Sequence, residues 1–386
     1  MKARRVIKLK IEGSDKVDAM LGVYLKAINW LSPIVYKTKE LNSTRLHKAH
    51  YANLREMGVP SQLACSAFRV VTASYKTAKS RKCWRLARFK RPMIPVVFRR
   101  DFNRTKKGVT LWGETINIKD PHPLPDKFWK DSKLVRVKNQ WYLHLAHEIE
   151  IPDERAEGCI VGVDMGVKRM LVASNSANSK PFFYHGGELN HRRSCIRRTR
   201  ASIRSVGSRS ARRLLKRMSG KEAAVTGHLM HVASKALVDY ADAQGARRIV
   251  MEDLSNVRDA SLRKGKDLRS KVHRWPYADM RFKIAYKAEG RGITTETVSP
   301  YNTSRACHRC GYVSASNRKG LHFNCLKCGY RDDADLQASK NIRARSVSIA
   351  CNAPETGSNK PPESSGLMIS LCGVGSRLKP PVLYRG

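Results

Sequence analysis

Four cysteines and a handful of acids are the residues of this 386-residue chain best suited to do chemistry. The cysteines form two Cys-x-x-Cys pairs, Cys307 with Cys310 and Cys325 with Cys328, 14 residues apart. That spacing fits a zinc ribbon, in which two thiolate knuckles close one tetrahedral site. Gly311 and Gly329 each follow the second cysteine of a pair, where a turn needs backbone freedom. A site closed by four sulfurs has no open position for a substrate, so the expected zinc is structural. An iron–sulfur cluster is the competing use of the same ligands. With four sulfurs at hand, His308 and His322 are expected to be bystanders.

The acids fall in three places. In "IVGVDMG", alternation puts Val161 and Val163 on one face of a strand and Gly162, Asp164 and Gly166 on the other. A carboxylate in a strand interior is costly without a partner, and the flanking glycines leave room for a ligand or a backbone to approach. Glu252 ends a second apolar strand in "RRIVMEDL", and Asp332, Asp333 and Asp335 precede an apparent helix. Each has a bland reading: a turn aspartate, a strand-end pair with Asp253, a set of helix caps. Together they give the order Asp, Glu, Asp on strand–hairpin, helix–strand and helix start, which is the acid order of an RNase H-like nuclease core. Three carboxylates converging there can hold two Mg²⁺ ions about 4 Å apart, one activating water and one stabilising the leaving oxygen. Hard oxygen ligands suit Mg²⁺.

The elements that must position these groups are legible in outline. "RRVIKLKIE" alternates as a strand. Val17, Met20, Leu21, Leu25, Ile28 and Leu31 recur at helical spacing, and Pro33 is expected to stop that helix. A later helix starts near Ser61, with Leu63, Phe68, Val71 and Tyr75 as core positions. "VVFRRDF", "VTLWGETINI" and "KLVRVKNQWYLHLAHEIE" read as strands of a small barrel-like sheet. From Gly158 the pattern becomes strand, tight turn and strand, with "PFFYHGGEL" a candidate third strand. A basic helical stretch follows, then an amphipathic helix feeding the strand that carries Glu252. From about Ser346 the chain is rich in Ser, Pro and Gly and reads as disordered.

Charge points to the partner. Seventy-five Lys and Arg against 32 Asp and Glu give a net charge of +43, far beyond a solubilising surface. A polyanion neutralises such a surface and gains from counterion release, so nucleic acid is the expected partner. Between Arg69 and Lys107 there are 14 Lys and Arg and one acid. Within it, Lys76, Arg81, Lys82, Trp84, Arg85, Arg88, Lys90 and Arg91 are candidate nucleic-acid contacts, since cations hold phosphates while bases stack on aromatics. No apolar stretch follows the basic N-terminus as in a secretory signal, and no run reaches the roughly 18 residues of a membrane span. No membrane role and an intracellular setting are therefore expected, with the paired cysteines binding metal rather than forming bridges.

These motifs resemble the TnpB family, the RNA-guided nucleases encoded in insertion sequences, which are similar to compact type V CRISPR effectors. "GVDMGVKRMLVAS" resembles the first RuvC-like motif and "IVMEDLSNV" the second. "YKAEGRGITTETVSPYNTSRACHRCGY" resembles the lead-in to the zinc ribbon, and "CGYRDDADLQASKNI" the third motif, usually Asp-x-Asp-x-Asn-Ala-Ala-x-Asn-Ile. The alignment selects Asp335 beside Asp164 and Glu252 as the catalytic, magnesium-binding acids. Gln337 and Ser339 depart from the usual Asn and Ala. The resemblance implies an α/β, RNase H-like (RuvC-like) core over 158–306 and 329–345, with the zinc ribbon at 307–328 inserted so that its folding helps place the third acid. It implies a β-barrel wedge domain at 1–15 and 92–157, a helical recognition domain at 16–91, and a tail at 346–386. Guide RNA and target DNA are the implied partners, in a prokaryotic cytoplasm, with a monomer favoured. The implied activity is a guide-directed DNA endonuclease acting beside a short flanking motif. A CRISPR effector and a guide-dependent repressor without cleavage are the alternatives, and the complete acid set argues against the repressor. A transposase on such a core would place Asp, Asp, Glu.

Overall fold

The computed structural model describes residues 2–90, 93–105, 108–119, 132–137, 139–177, 180–255, 257, 265, 269, 273 and 275–351, the last five as backbone only. Arg91 and the tail beyond 351 lie outside the described residues. The chain divides into two compact units, Met1–Gly158 with Ile284–Thr294, and Cys159–Lys283 with Thr295 onward.

In the first unit β1 (Lys2–Ile11) leads into three helices, α1 (Asp15–Thr38), α2 (Ser43–Glu56) and α3 (Ser61–Ser80). Ser14 caps α1 by accepting from the Val17 amide, and Asp15 and Asp18 suit the positive end of the helix. Pro33 does not stop α1, which continues to Lys39 in the left-handed region. The single hydrogen bond that proline removes is outweighed by what anchors the following turn. Leu31, Ser32 and Val35 are buried, and the Ser32 hydroxyl meets that of Tyr75 at 2.9 Å. Leu63, Phe68, Val71 and Tyr75 of α3 are all core residues.

The strands that follow are β2 (Met93–Val96), β3 (Phe102–Arg104), β4 (Gly108–Leu111), β5 (Glu114–Asn117), β6 (Ser132–Val137) and β7 (Gln140–Glu150). Among the described residues they do not make the expected barrel. They form an antiparallel sheet in the order β1-β7-β6-β2 and a separate three-stranded sheet β3-β4-β5, tied by an isolated bridge between Ile11 and Ile118. The reason is local: β4 and β5 are four-residue strands joined through Trp112 and Gly113, both at positive φ, so they close on each other as a hairpin. Helix and strand residues of this unit share one core, from Leu9 through Tyr75 to Leu145.

The second unit is built on a five-stranded sheet in the order β10-β9-β8-β11-β12. β8 (Cys159–Asp164), β9 (Arg169–Asn175) and β10 (Phe182–His185) form an antiparallel meander. Helices α4 (Gly187–Ser205), α5 (Arg209–Arg217) and α6 (Lys221–Ala243) then lead to β11 (Ala246–Glu252), which pairs parallel to β8. After α7 (Tyr277–Glu289) and β12 (Thr294–Val298) comes a small sheet of β13 (Arg318–Lys319), β14 (His322–Asn324) and β15 (Arg331–Asp333). The last helix among the described residues, α8 (Ala334–Cys351), runs past residue 346, where the tail was expected to begin.

α8 is seated on β8 at Gly162. A Cβ there would lie 2.2 Å from the Ser339 carbonyl oxygen and 2.7 Å from the Arg343 backbone nitrogen. Thus the room left by this glycine is filled by helix backbone. We expect Gly162→Ala to lift α8 off the sheet and cost about 1–3 kcal/mol, the usual range for overpacking. Chemical denaturation would show this as a lower midpoint; an unchanged midpoint would mean that the helix is not seated there.

Candidate active site and metal centre

β8 and β11 run parallel with Met251 opposite Val163, so the next residues, Glu252 and Asp164, stand side by side at the ends of neighbouring strands. Such strands lie about 4.8 Å apart. Glu252 is buried, and Asp335, also buried, sits in the first turn of α8. Burial, then the nearby charges of Glu252 and Asp335, push the Asp164 carboxyl up to about 8. Burial likewise raises Glu252, against the pull of the Thr303 hydroxyl, Arg345 and Arg318. Asp164 therefore lies within electrostatic reach of the other two acids predicted from the sequence. The Tyr277 hydroxyl is close enough to feel Asp164 and Glu252, and burial with those two charges pushes it up to about 12.

Two arginines complete the cluster. Arg318 Nη2 donates to Asp335 Oδ1 at 2.7 Å, and Arg169 Nη1 lies 3.5 Å from Asp335 Oδ2. Arg169 also donates to both oxygens of Asp333 at 2.5 Å. Asp333 itself caps α8, accepting from the amides of Asp335 at 3.0 Å and Leu336 at 3.1 Å. Burial works against ionisation of Asp333, yet Arg169 and these amides hold its carboxyl below the usual range. Asp332 belongs elsewhere, bonded to Lys340 and the Tyr330 hydroxyl, each at 2.6 Å. Sequence reasoning missed Arg318, Arg169 and Thr303. Arg318 reads as one more loop cation among 75 Lys and Arg. Arg169 had a usable signal, being on the strand that the tight turn after Asp164 folds back.

The four cysteines meet as expected. Cys307 Sγ lies 3.7 Å from Cys328 Sγ, and Cys310 Sγ 3.6 Å from Cys325 Sγ. A tetrahedron with zinc–sulfur bonds of about 2.3 Å has edges of about 3.8 Å, so the set fits structural zinc. The two knuckles repeat one geometry. The Gly311 amide donates to the Cys307 carbonyl and that of Gly329 to the Cys325 carbonyl, with both glycines at positive φ. Among the described residues, this is the one group of three or more Cys, His, Asp or Glu whose ligand atoms all lie within 4.8 Å of one another. The carboxylate cluster is more open, and His308 and His322 stay out of the thiol set.

In the first unit, the basic stretch after α3 is neither helix nor strand. It is pinned through its backbone: Phe89 exchanges hydrogen bonds with the Asn29 side chain, and the Ala87 carbonyl accepts from Ser32. Trp84 lies against Tyr36 and Tyr75, with ring centroids 6.4 and 5.0 Å away, and Phe89 packs on the core. The two aromatics expected to stack on bases are thus partly spent on anchoring. Lys76, Arg81, Lys82, Arg85, Arg88 and Lys90 are exposed.

Fold and cysteine cluster together define a mixed α/β protein with a zinc-ribbon-type knot placed just before α8. The family described as Cas12f1-like, TNB domain matches residues 277–342, which contain that knot and Asp335. A CRISPR-associated endodeoxyribonuclease Cas12f1 of Sulfoacidibacillus thermotolerans is 31% identical over 219 residues, covering 53% of this chain and 50% of that protein. A TnpB-like protein of Methanocaldococcus jannaschii is 33% identical over 152 residues, covering 39% of this chain and 51% of the relative. A solved Cas12f1–sgRNA–target DNA complex aligns at 18% identity and a TM-score of 0.40, covering 88% of this chain and 99% of that one. Over these stretches the chain is similar to TnpB-like and Cas12f1 proteins. It spans about half the length of the curated relatives it matches. Among the described residues no helix is long and apolar enough to cross a membrane.

Replacing Cys325 with Ser should remove most bound zinc, because three sulfurs hold it poorly and metal binding here is folding free energy. Only Gly329 to Ala334 separate Cys328 from Asp335. Hydrogen exchange of the amides from Gly329 to Leu336 should therefore speed up alongside zinc loss measured by mass spectrometry. Zinc loss with unchanged exchange would show that the knot does not hold the start of α8.

Proposed function

We propose that this chain is an RNA-guided DNA endonuclease of the TnpB type, with Asp164, Glu252 and Asp335 as the acids that hold two catalytic Mg²⁺ ions. The observation that carries this reading is the parallel register of β8 and β11, which sets two carboxylates side by side at the strand ends. The sheet order β10-β9-β8-β11-β12, a three-strand meander joined by a parallel strand, supports an RNase H-like (RuvC-like) core. The relatives named endodeoxyribonucleases support phosphodiester hydrolysis of DNA.

The donor set fits the ions. The Asp164 carboxyl, pushed up by burial and by the charges of Glu252 and Asp335, is stable as a carboxylate only beside a strong positive charge, and the hard oxygens of the three acids suit Mg²⁺. Bound Mg²⁺ supplies activation of water and polarisation of the scissile phosphate. The chain's own part is to hold the carboxylates in place and to exclude bulk water from Asp164. Arg318 and Arg169 neutralise Asp335 and stand where negative charge on a phosphate would gather. Tyr277, held protonated, is an available hydrogen-bond donor beside the acids.

Guide RNA and target DNA are the proposed partners, with base pairing reading sequence and protein reading a short flanking motif and the heteroduplex backbone. The exposed cations Lys76, Arg81, Lys82, Arg85, Arg88 and Lys90 are proposed to hold phosphates, with Trp84 and Phe89 anchoring the segment that carries them. The Cas12f1 relatives favour one second reading, a compact CRISPR effector with the same chemistry; genomic context separates the two.

Asp164→Ala should lower Mg²⁺-dependent cleavage of guide-matched DNA by more than about 100-fold while guide and target binding persist. Cleavage at the native rate would overturn the site assignment. Binding of guide RNA should weaken steeply with salt. Changing Arg81, Lys82, Arg85 and Arg88 to Gln should flatten the slope of log affinity against log salt by about 0.7 for each phosphate no longer neutralised. An unchanged slope would mean that this stretch faces solvent.

A further inference from the structure

Between β12 and the first cysteine knuckle, residues 299–306 run against α8 without helix or strand of their own. Three side chains of α8, spaced four residues apart, hold this segment by its carbonyls. Gln337 Nε2 donates to the Ala306 oxygen at 2.9 Å. Asn341 Nδ2 donates to the Thr303 oxygen at 2.7 Å and to the Ala306 oxygen at 2.8 Å. Arg345 donates to the carbonyls of Ser299 and Tyr301. Gln337 is fully buried and Asn341 9% exposed, so these bonds form where an unmade one is costly. The backbone of the segment is thereby committed to α8.

One side chain in the segment turns to the acid cluster. The Thr303 hydroxyl donates to Glu252 Oε1 and also meets the Pro300 carbonyl at 3.1 Å, and Thr303 is only 3% exposed. Glu252 is the last residue of its strand, whereas Asp335 stands in a capped helix start and is gripped directly by Arg318. Immediately after Ala306, Cys307 enters the zinc-binding knot, its amide bonded to the Tyr312 oxygen at 2.9 Å.

We infer that Thr303 is the positioning residue for Glu252, and that the Gln337–Asn341–Arg345 rail of α8 holds it in place. Its hydroxyl occupies Oε1 and leaves the other oxygen to a divalent cation. The same rail ties together the second acid, the third acid at the head of α8 and the entry to the cysteine knot. Gln337, which departs from the family's usual Asn, retains a donor that reaches the segment. The inference rests on Glu252 being a metal ligand, as proposed above.

The test is Mn²⁺ titration of the guide-bound protein by calorimetry, run beside cleavage rate and zinc content. Glu252→Gln sets the baseline for ions held elsewhere. Thr303→Val, which keeps the volume and removes the hydroxyl, should weaken Mn²⁺ binding about 10-fold and slow cleavage about 10- to 100-fold, the usual effect of losing a group that orients a metal ligand. Thr303→Ser should restore both, and zinc should stay at the wild-type level in each. Thr303→Ala provides the same test without a second methyl should the valine variant fold poorly. Native Mn²⁺ affinity in the valine and alanine variants would overturn the inference, as would failure of serine to restore it. Native cleavage and Mn²⁺ binding in Glu252→Gln would instead overturn the assignment of the acid itself.

Discussion

Two carboxylates fixed at the same level on adjacent parallel strands, with a third brought to them by a helix, are the constraint around which the second unit is arranged. In such a place like charges cannot all ionise without compensation, and the Asp164 carboxyl is driven up to about 8 by burial and by its neighbours. A fold selected for stability alone would replace these groups with apolar ones, because buried charge is weak evidence of stabilisation. The cluster is instead surrounded by Arg318, Arg169, Thr303 and Tyr277, in keeping with the proposed site for cations and phosphate.

α8 is the element through which the constraint is met. Its backbone is seated in the space left by Gly162, its first turn carries Asp335, and its cap, Asp333, is locked by Arg169. Its buried amides hold the chain that leads into the cysteine knot. Side chains on one helix thus connect strand, acid and knot by short bonds. We propose that the thiol cluster adjoins the acids for a geometric reason: only Gly329 to Ala334 separate Cys328 from Asp335, so a metal-closed knot would restrain the start of the helix.

Much of this was legible in residue types. The Cys-x-x-Cys spacing foretold the thiol cluster because four-sulfur geometry is local in sequence, and Asp164 and Glu252 each stand, as expected, at the end of an apolar strand. What depended on long-range packing was not legible. Pro33 reads as a helix stop, but the hydroxyl pair of Ser32 and Tyr75 carries α1 past it. The short hairpin of β4 and β5 reads as part of a barrel and closes on itself instead. Trp84 among cations reads as a base-stacking residue, whereas Tyr36 and Tyr75, distant in sequence, engage it. Arg318 and Thr303 carry no sequence signal of their own, since only the folded ribbon and the 299–306 segment bring them to the acids.

The central claim, that nucleic acid directs hydrolysis at this carboxylate cluster, is tested most directly by sequencing the RNA that copurifies with the protein and offering the complex DNA complementary to its variable end. The account predicts one discrete RNA species with a variable terminus, and cuts in the matched DNA that require Mg²⁺. Random RNA fragments, with cutting that ignores complementarity, would contradict it.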